Sequence, residues 1–540
     1  TDGRMMMPRG RMLGGSSGIN YMAYVRGHPG DFDAWAAAGG SGWSYSDVVA
    51  YFKKSEGLAP SGDIVVDADA HSTTGPLGVS VRAPVIAGAQ EFVDAAIAAG
   101  IPAGDYNGRD RGGPEGVVSL LQTTTREGKR SSTYHAFLEG VVAERPNLTV
   151  ITYAHVTRVL LDDAGGLKAR GIEYRTVDGA TRTLSAEKEV VLSAGAIGSP
   201  HILMLSGIGP RRELEAAGVG CVLDAPDVGK HLKDHLQVAL FFPAAGVGVS
   251  MTELGISLGP DALRAPNGPL PADPADDATM PDELKELQHE AERRVAEWAT
   301  TGRGLVSSSL YEACAWFSTG LGDHHTHDAQ LGFFCCGYTP DLWRWVLRVN
   351  PDEYFDDWAK RLGPDAESMI VLANPVQPHS EGEIVLTSPD PDVHPDIRMN
   401  YFDDPHDMRV MIATLRKALE VVANWPGHRE IGPLLVPPAL AAKHSHSPGD
   451  TPSDDLLEDL ALHYSWTVYH PTSTCRMGSV VDERLRVAGV SSLRIADASV
   501  MPDVVSGNTN AACIMIGEKG AEMIAADHGV NLVEFVHATP

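Results

Sequence analysis

The chain has 540 residues, which is too many for one compact core, so two or more lobes are expected. A formal net charge of −28 argues against nucleic-acid binding, because phosphate contacts need clustered Lys and Arg. That charge indicates solubility or a weak attraction for cationic substrates. No apolar run approaches the length of a membrane span, and six cysteines without a C-x-x-C pair predict neither a disulfide scaffold nor a structural zinc site.

The N-terminal region contains a glycine-rich segment. Residues 10–20 read Gly-Arg-Met-Leu-Gly-Gly-Ser-Ser-Gly-Ile-Asn, which is typical of a flexible linker or of backbone that approaches a ligand closely. The largely apolar sequence at 19–24 follows without a break and favours the second interpretation. Residues 1–11 lack the apolar segment of a signal peptide, so we expect a cytoplasmic protein.

The middle of the chain is predicted to begin with β structure. Residues 148–152 and 156–161 are rich in β-forming side chains. Residues 168–175 and 182–184 flank a turn at Asp178-Gly179, which is typical of a hairpin.

A strand followed by a helix is predicted next. The apolar run at 189–195 ends at Gly195, and Pro200 suits the first turn of a helix. This order is typical of one unit of a nucleotide-binding sheet.

The C-terminal half combines irregular and regular segments. Residues 260–281 are rich in Pro, Ala, Gly and Asp, which predicts an irregular insertion or lid. The tract of His324, His325 and His327 is interpreted as a polar loop rather than a metal site. Apolar runs and helical periodicity predict a helix at 282–300, strands at 331–334, 369–373 and 383–387, a helix at 404–423, a strand at 493–497 and a helix at 511–527.

Three sequence blocks occur in an order that is typical of one enzyme family. They are Gly10-Arg11-Met12-Leu13-Gly14-Gly15-Ser16-Ser17-Gly18-Ile19-Asn20 with Tyr24-Val25-Arg26-Gly27; Gly195-Ala196-Ile197-Gly198-Ser199-Pro200 through Ser206-Gly207-Ile208-Gly209; and His470-Pro471, Thr474-Cys475-Arg476-Met477-Gly478, Ala496-Asp497-Ala498-Ser499 and Gly507-Asn508-Thr509-Asn510. Across nearly the whole chain, these blocks resemble the glucose–methanol–choline (GMC) oxidoreductases.

The resemblance implies an α/β fold with an α+β second lobe. A Rossmann-like FAD-binding domain is expected from discontinuous segments at 1–40, 148–240 and 463–540, the last of which also carries the catalytic residues. A substrate-binding domain with an antiparallel sheet is expected at 241–462. Residues 41–147 are expected to form a mixed segment with substrate-domain and lid character.

The resemblance also implies FAD as the cofactor. Some relatives attach the flavin covalently through a histidine at the position of Ile19, so non-covalent FAD is expected here. The implied cofactor contacts are Met12, Gly14, Gly15, Ser16, Asn20, Met22, Ala23, Val156, Asp497, Ala498, Asn508 and Thr509.

Members of this family oxidise an alcohol by hydride transfer to flavin N5 while a base takes the hydroxyl proton. His470 occupies the position of the base and Asn508 that of its partner. Each has a structural alternative, namely a buried histidine with internal partners and a turn-capping asparagine. Tyr464 and Trp466 are expected either to line the substrate cavity or to belong to the core.

Two alternative functions remain open at this point: a non-redox lyase of the hydroxynitrile lyase type that retains FAD, and a binding polypeptide that has lost it. The family holds the FAD pyrophosphate with a G-x-G-x-x-G turn after a strand, and no such turn occurs in this sequence. We therefore expect a separate or missing N-terminal segment to supply it. A small-molecule alcohol is the expected substrate, and a homo-oligomer remains open.

Overall fold

The structure is a computed structural model, and it describes residues 5–59, 61, 64–83, 85–163, 165–244, 246–247, 293–322, 327–334 and 368–530. The predicted lid at 260–281, most of the helix at 282–300, and His324 and His325 lie outside the described residues. Within the described part, no helix is both long and apolar enough to cross a membrane.

The helices and strands are bounded as follows. The helices are α1 (Pro29–Ala37), α2 (Tyr45–Ser55), α3 (Ala87–Ala98), α4 (Thr133–Phe137), α5 (Val141–Glu144), α6 (Gly195–Leu205), α7 (Arg211–Ala216), α8 (Pro405–Ala423), α9 (Pro438–Lys443), α10 (Asp454–Tyr464) and α11 (Asn510–Asp527), with a further helical stretch at 293–301. The strands are β1 (Glu56–Leu58), β2 (Leu77–Val81), β3 (Val117–Leu120), β4 (Gln122–Thr123), β5 (Thr125–Arg126), β6 (Lys129–Arg130), β7 (Ala154–Asp162), β8 (Lys168–Thr176), β9 (Thr181–Ser185), β10 (Val190–Leu192), β11 (Ile208–Gly209), β12 (Leu223–Asp224), β13 (Leu236–Pro243), β14 (Tyr311–Phe317), β15 (Ala329–Phe334), β16 (Ser368–Pro375), β17 (Glu383–Val385), β18 (Asp396–Arg398), β19 (Ser465–Thr467) and β20 (Leu493–Ile495).

The first lobe is built around a parallel pair of strands. β10 and β20 run side by side, with Val190 opposite Leu493 and Leu192 opposite Ile495. β10 leads directly into α6, and α11 follows β20 after a short 3-10 helix. The antiparallel strands β7, β8 and β9 form a second sheet of this lobe, and β8 and β9 are the predicted hairpin. Segments that are far apart in sequence therefore assemble one α/β lobe, as predicted.

The second lobe is organised by a six-stranded sheet in the order β19-β13-β16-β15-β14-β3, in which every neighbouring pair is antiparallel. One face of this sheet packs against α3, α8 and α10 in a buried apolar cluster that includes Leu240, Val371 and Phe333. Because side chains alternate along a strand, the residues between these project from the opposite face. That opposite face covers the cavity described below.

Helix α6 begins earlier than predicted. Its first residue is Gly195, so Pro200 lies inside the helix rather than in its first turn. Proline has no backbone N–H, and the carbonyl of Ala196 therefore lacks its usual helical donor. The buried hydroxyl of Thr474 donates to that carbonyl oxygen instead, at 2.6 Å. A side chain more than two hundred residues away thus permits the helix to continue through the proline.

One further prediction requires correction. Residues 148–152 are not a strand, because β7 begins only at Ala154, after Tyr153 with a φ of +54°. The segment 41–147, which was expected to be mixed, contributes residues to both cores. Trp43 and Phe52 belong to the core of the first lobe, where α2 packs against α11, whereas Phe92 and Ile101 belong to the core of the second lobe.

Candidate active site

A cavity of about 1250 Å³ lies between the glycine-rich N-terminal segment, the start of α6 and the inner face of the six-stranded sheet. This exceeds the roughly 300–1,000 Å³ of most small-molecule pockets, which suits a long ligand together with a second, smaller one. Among the predicted site residues, those that line it are Gly14, Gly15, Ser16, Asn20, Met22, Ala23, Trp466, His470, Asp497, Ala498, Asn508 and Thr509.

Three predicted site residues lie elsewhere. Met12 is 57% exposed and does not line the cavity. Tyr464 packs against the buried cluster on the outer face of the sheet, and its position argues for the core interpretation. Val156 lines a neighbouring cavity of about 640 Å³, which shares Ser193, Ala194 and other wall residues with the large one.

The glycine-rich segment is held in a fixed shape. Gly14 and Gly15 have φ angles of +87° and +53°, which other residues adopt only with strain. A Cβ on Gly14 would also lie only 3.1 Å from Ser132 Oγ. The Arg130 guanidinium donates to the carbonyl oxygen of Ser17 at 3.1 Å and to the backbone and side-chain oxygens of Asn20 at 2.8 Å each. The backbone that faces the cavity is therefore organised before any ligand arrives.

The Asp497 side chain links the segment that follows β10 to the segment that follows β20. Its Oδ2 accepts the backbone N–H of Gly195 at 2.9 Å and the hydroxyl of Ser199 at 2.5 Å. Its Oδ1 accepts the N–H and the hydroxyl of Ser499 at 2.8 and 2.6 Å. Both carboxylate oxygens are thus engaged by the protein, and they fix the start of α6, which lines the cavity.

His470 lies in a chain of three polar side chains. Its Nδ1 is 2.9 Å from Nδ1 of His235, and Nε2 of His235 is 3.1 Å from the carbonyl oxygen of Val376. On the other side, Nδ2 of Asn508 is 3.2 Å from Nε2 of His470. Oδ1 of Asn508 is buried and has no hydrogen-bond partner among the described residues.

The partners in this chain determine which ring nitrogens carry protons. A carbonyl oxygen only accepts, so Nε2 of His235 must donate to Val376. In a neutral ring, Nδ1 of His235 then has a free lone pair and accepts from Nδ1 of His470. Nε2 of His470 is consequently unprotonated and accepts from the Asn508 amide. The lone pair of His470 thus points into the cavity.

Burial keeps both imidazoles neutral. Burial lowers the pKa of His235 to about 4. Burial also lowers the pKa of His470 well below its usual value, and the nearby His235 and Arg9 lower it further. His470 is therefore unprotonated at neutral pH and able to accept a proton.

The loop that carries His470 is anchored by the buried carboxyl group of Asp234. Its Oδ1 accepts the backbone N–H of His470 at 2.7 Å, and its Oδ2 accepts the hydroxyl of Thr467 at 2.5 Å and that of Tyr401. Tyr469 has a φ of +66°, a strained conformation that these contacts stabilise. Burial raises the pKa of Asp234 to about 6.

Asp234, His235 and Gln237 were not predicted as site residues, although all three belong to this region of the structure. Asp234 and His235 are adjacent polar residues directly before the apolar strand β13. This was an available signal, because polar groups buried at the start of a core strand require specific partners. Within the described residues, no group of three or more His, Cys, Asp or Glu side chains is arranged to hold a metal ion.

Comparison with known proteins identifies the family. Models described as GMC oxidoreductase match residues 1–237 and 378–517. The chain belongs to the GMC oxidoreductase family. An alcohol dehydrogenase (acceptor) of Pseudomonas putida is 33% identical to this GMC oxidoreductase over 531 residues, covering 96% of this chain and 82% of that protein. An oxygen-dependent choline dehydrogenase of Pseudomonas putida is 34% identical over 540 residues, covering 97% and 81%.

A solved structure shows a similar fold over nearly the whole chain. The structure of pyridoxine 4-oxidase from Mesorbium loti is similar to this chain with a TM-score of 0.71 and 25% identity, covering 98% of this chain and 87% of that one. The family and the fold class inferred from the three sequence blocks are therefore confirmed.

Proposed function

We propose that this protein is an FAD-dependent oxidoreductase that converts a primary or secondary alcohol into a carbonyl compound. The observation that carries the proposal is the hydrogen-bonded chain from Val376 through His235 and His470 to Asn508, which presents an unprotonated nitrogen to a large cavity. The names of the relatives, an alcohol dehydrogenase and a choline dehydrogenase, agree with this chemistry.

The cavity has features that fit FAD. The positive-φ glycines Gly14 and Gly15 line the cavity and have no Cβ, so a phosphate of the cofactor can lie close to the backbone there. The start of α6, held in place by Asp497, lines the same cavity. Ser16, Asn20, Met22, Ala23, Asp497, Ala498 and Thr509 complete the set of residues that would hold the cofactor. Bound FAD would supply the acceptor for the hydride that leaves the alcohol carbon.

Ile19 lines the cavity and has no nucleophilic atom. This supports non-covalent FAD, so precipitating the protein with acid should release the flavin into the supernatant. Flavin that remains with the precipitated polypeptide after washing would contradict this part of the proposal.

His470 would act as the base. An alcohol hydroxyl that replaces the Asn508 amide on Nε2 of His470 transfers its proton to that nitrogen as hydride leaves the carbon. The Asn508 amide, freed from Nε2, can donate to the alcohol oxygen and hold the carbon in position. Nδ1–H of His470 remains bonded to His235, so the imidazolium that forms keeps its orientation.

The test is anaerobic reduction of the bound flavin by a panel of alcohols, followed by absorbance. His470→Ala should retain flavin and lose about 10²–10⁴-fold in the rate constant for reduction. His463→Ala, at the exposed C-terminal end of α10, serves as the control, and its flavin should be reduced at the wild-type rate. Near-wild-type reduction by His470→Ala would remove this residue from the mechanism. If no alcohol reduces the flavin bound to the wild-type protein, the result would favour the alternative function of a non-redox lyase.

A further inference from the structure

The loop that carries Asn508 is buried and irregular. Residues 503–507 lie between the short 3-10 helix after β20 and the start of α11, outside any helix or strand. Val504, Val505 and Ser506 are all buried. Side-chain contacts, rather than the hydrogen bonds of a regular element, must therefore fix where the Asn508 amide lies.

The carboxylate of Asp31, in the first turn of α1, holds this loop two residues before Asn508. Its Oδ2 accepts the backbone N–H of Ser506 at 2.7 Å, and its Oδ1 accepts the hydroxyl of the same residue at 2.7 Å. Oδ2 also accepts the backbone N–H of His28, the N-cap of α1, at 2.7 Å. Burial raises the pKa of Asp31 only to about 6, so at neutral pH the group is an ionised carboxylate and acts only as an acceptor. One buried side chain thus joins the start of a helix to the loop.

The same helix also holds the beginning of the loop. Nε1 of Trp35 donates to the backbone oxygen of Asp503 at 2.9 Å. Trp35 is four residues after Asp31, so the two side chains lie on the same face of α1. The loop is therefore attached to one face of one helix at two points.

The segment that leads into α1 lies directly against the loop. Gly27 has a φ of +90°, and a Cβ there would lie 2.8 Å from Cβ of Val505 and 2.9 Å from Oδ2 of Asp31. A Cβ on Gly507 would lie 2.6 Å from Cγ1 of Val25. Because non-bonded carbon atoms do not pack this closely, both positions require glycine for the loop to reach α1.

A further contact joins this loop to the hydrogen-bonded chain that contains the two histidines. Nε2 of Gln377 donates to Oγ of Ser506 at 3.0 Å. The residue before it, Val376, supplies the carbonyl oxygen at which that chain begins. The loop and the chain therefore share one anchor, and a displacement of Ser506 would move Asn508 relative to His470.

We propose, on the basis of the function proposed above, that Asp31 is a positioning residue for the reaction. By holding Ser506, its carboxylate keeps the Asn508 amide where it can donate to the alcohol oxygen. A misplacement of about 1 Å caused by a substitution far from the reacting atoms can cost about 10²-fold in rate. Because Asp31 acts through Asn508, its contribution to the rate disappears when Asn508 has no amide. This dependence distinguishes positioning from a general contribution to packing.

Substitution of Asp31 by leucine, which is similar in shape, tests this role. Asp31→Leu leaves the N–H and the hydroxyl of Ser506 without their acceptor. We expect the purified protein to retain flavin and to lose at least tenfold in the rate constant for flavin reduction at saturating alcohol. In an Asn508→Ala background, the same substitution should lower that rate constant by less than about twofold, because the amide that Asp31 positions is already gone.

Asp328→Leu is the matched control. The buried carboxylate of Asp328 also accepts the backbone N–H and the hydroxyl of a single residue, Thr319, at 2.7 and 2.5 Å. Its loss should lower the melting temperature but leave the rate constant for reduction within about twofold of wild type. A loss of rate in Asp328→Leu as large as that in Asp31→Leu would overturn the proposal, since it would assign both losses to reduced stability.

Ser506→Ala provides a milder variant that decides the question if Asp31→Leu does not fold. It removes the hydroxyl that Asp31 accepts, and we expect a loss of about three- to tenfold in the reduction rate constant that vanishes in the Asn508→Ala background. Equal fold-losses in the two backgrounds would overturn the proposal and leave alcohol oxidation intact. If no alcohol reduces the flavin of the wild-type protein, the proposed function fails, and this proposal with it.

Discussion

His235 shows how a side chain outside the cavity controls the state of one that lines it. It is fully buried, and its two nitrogens contact only the Val376 carbonyl and His470 among the described residues. Removing the acceptor at Nδ1 of His235 would leave Nδ1–H of His470 without a partner, and the proton would then be free to move to Nε2. A histidine with its proton on Nε2 cannot accept one from an alcohol.

Two substitutions at His235 separate this effect from loss of packing. His235→Leu should lower the rate constant for flavin reduction by at least tenfold, and the loss caused by a wrong tautomer reaches about 10⁴-fold in other enzymes. His235→Gln offers an oxygen to His470 and an N–H to Val376, so we expect it to remain within a few-fold of wild type. Both variants should retain flavin. Equal rates in the two variants would show that the tautomer is not set by this contact, and ¹⁵N NMR of the histidine rings would report the tautomer directly.

The depressed pKa of His470 predicts the pH dependence of the reaction. The base works only when it is unprotonated, so activity is lost as the pH falls through its pKa. Because burial holds that pKa well below 6.5, flavin reduction at saturating alcohol should stay level from about pH 9 to pH 6.5 and decline only below it. Stopped-flow measurements across this range provide the check. An inflection at or above pH 6.5 would contradict the neutral, buried histidine that the structure contains.

At the scale of elements, local sequence patterns predicted two kinds of element: strands that pair with a strand nearby in the sequence, and helices with a strong apolar periodicity. The hairpin of β8 and β9, the long helix α8 and the final helix α11 were predicted within a few residues. The start of α6 was not, because Pro200 is compatible with a helix interior only when a distant hydroxyl satisfies Ala196. Single-sequence patterns carry no information about such a partner.

In the candidate site too, residues in local sequence motifs were predicted, and residues that depend on distant contacts were not. The positions of His470 and Asn508 were predicted because they lie within recognisable blocks of sequence. His235 and Gln237 were missed because their importance arises from strand pairing and ring contacts that only the folded chain creates. Tyr464 illustrates the reverse case. It is only two residues from Trp466, yet it lies at the end of α10, and it packs on the outer face of the sheet.

The contact between Thr474 and Ala196 predicts a specific coupling within α6. Thr474→Val keeps the shape of the side chain but leaves the Ala196 carbonyl without a donor, which should cost about 1–3 kcal/mol of stability. In a Pro200→Ala background, the new backbone N–H can bond to Ala196, so the same substitution should cost less. Thermal unfolding of the four proteins completes this double-mutant cycle. Equal losses in both backgrounds would mean that Thr474 does not compensate for the proline.

At the scale of the whole molecule, a buried ionic network lies where segments of both lobes meet. Nδ1 of His71 is 2.8 Å from Oε1 of Glu56, and Nε2 of His71 is 2.8 Å from Oδ2 of Asp105. Arg26 donates to the other oxygen of Glu56 at 2.8 Å, and the side chains of Arg26 and Glu56 are 0% exposed. Asn107 links the network to Gln122 at 2.9 Å, next to the strands of the second lobe.

The geometry favours an imidazolium at His71, because both of its nitrogens face carboxylates and each can then donate. Although burial opposes the charge, the hydrogen bonds to Asp105 and Glu56 raise the pKa of His71 above 6.5. The resulting stability is fully present below the unfolded-state pKa of 6.5 and is lost as the pH rises through the raised folded-state pKa. The pKa of Asp105 is lowered in the folded protein. The stability that the Asp105 carboxylate contributes is therefore lost at acidic pH, as the pH falls through this lowered pKa.

Replacing His71 should therefore destabilise the whole molecule in a pH-dependent way. His71→Leu leaves Glu56 and Asp105 buried without their shared donor, and breaking such a buried pair typically costs about 3–5 kcal/mol. We expect a large drop in melting temperature at pH 6, and a difference from wild type that shrinks as the pH rises through the raised pKa of His71. His155→Leu removes the partly exposed pair with Asp392 and should cost at most about 1 kcal/mol, independent of the network. If His71→Leu and His155→Leu lower the melting temperature equally, or if the His71→Leu difference does not shrink with rising pH, the buried imidazolium does not hold the two lobes together.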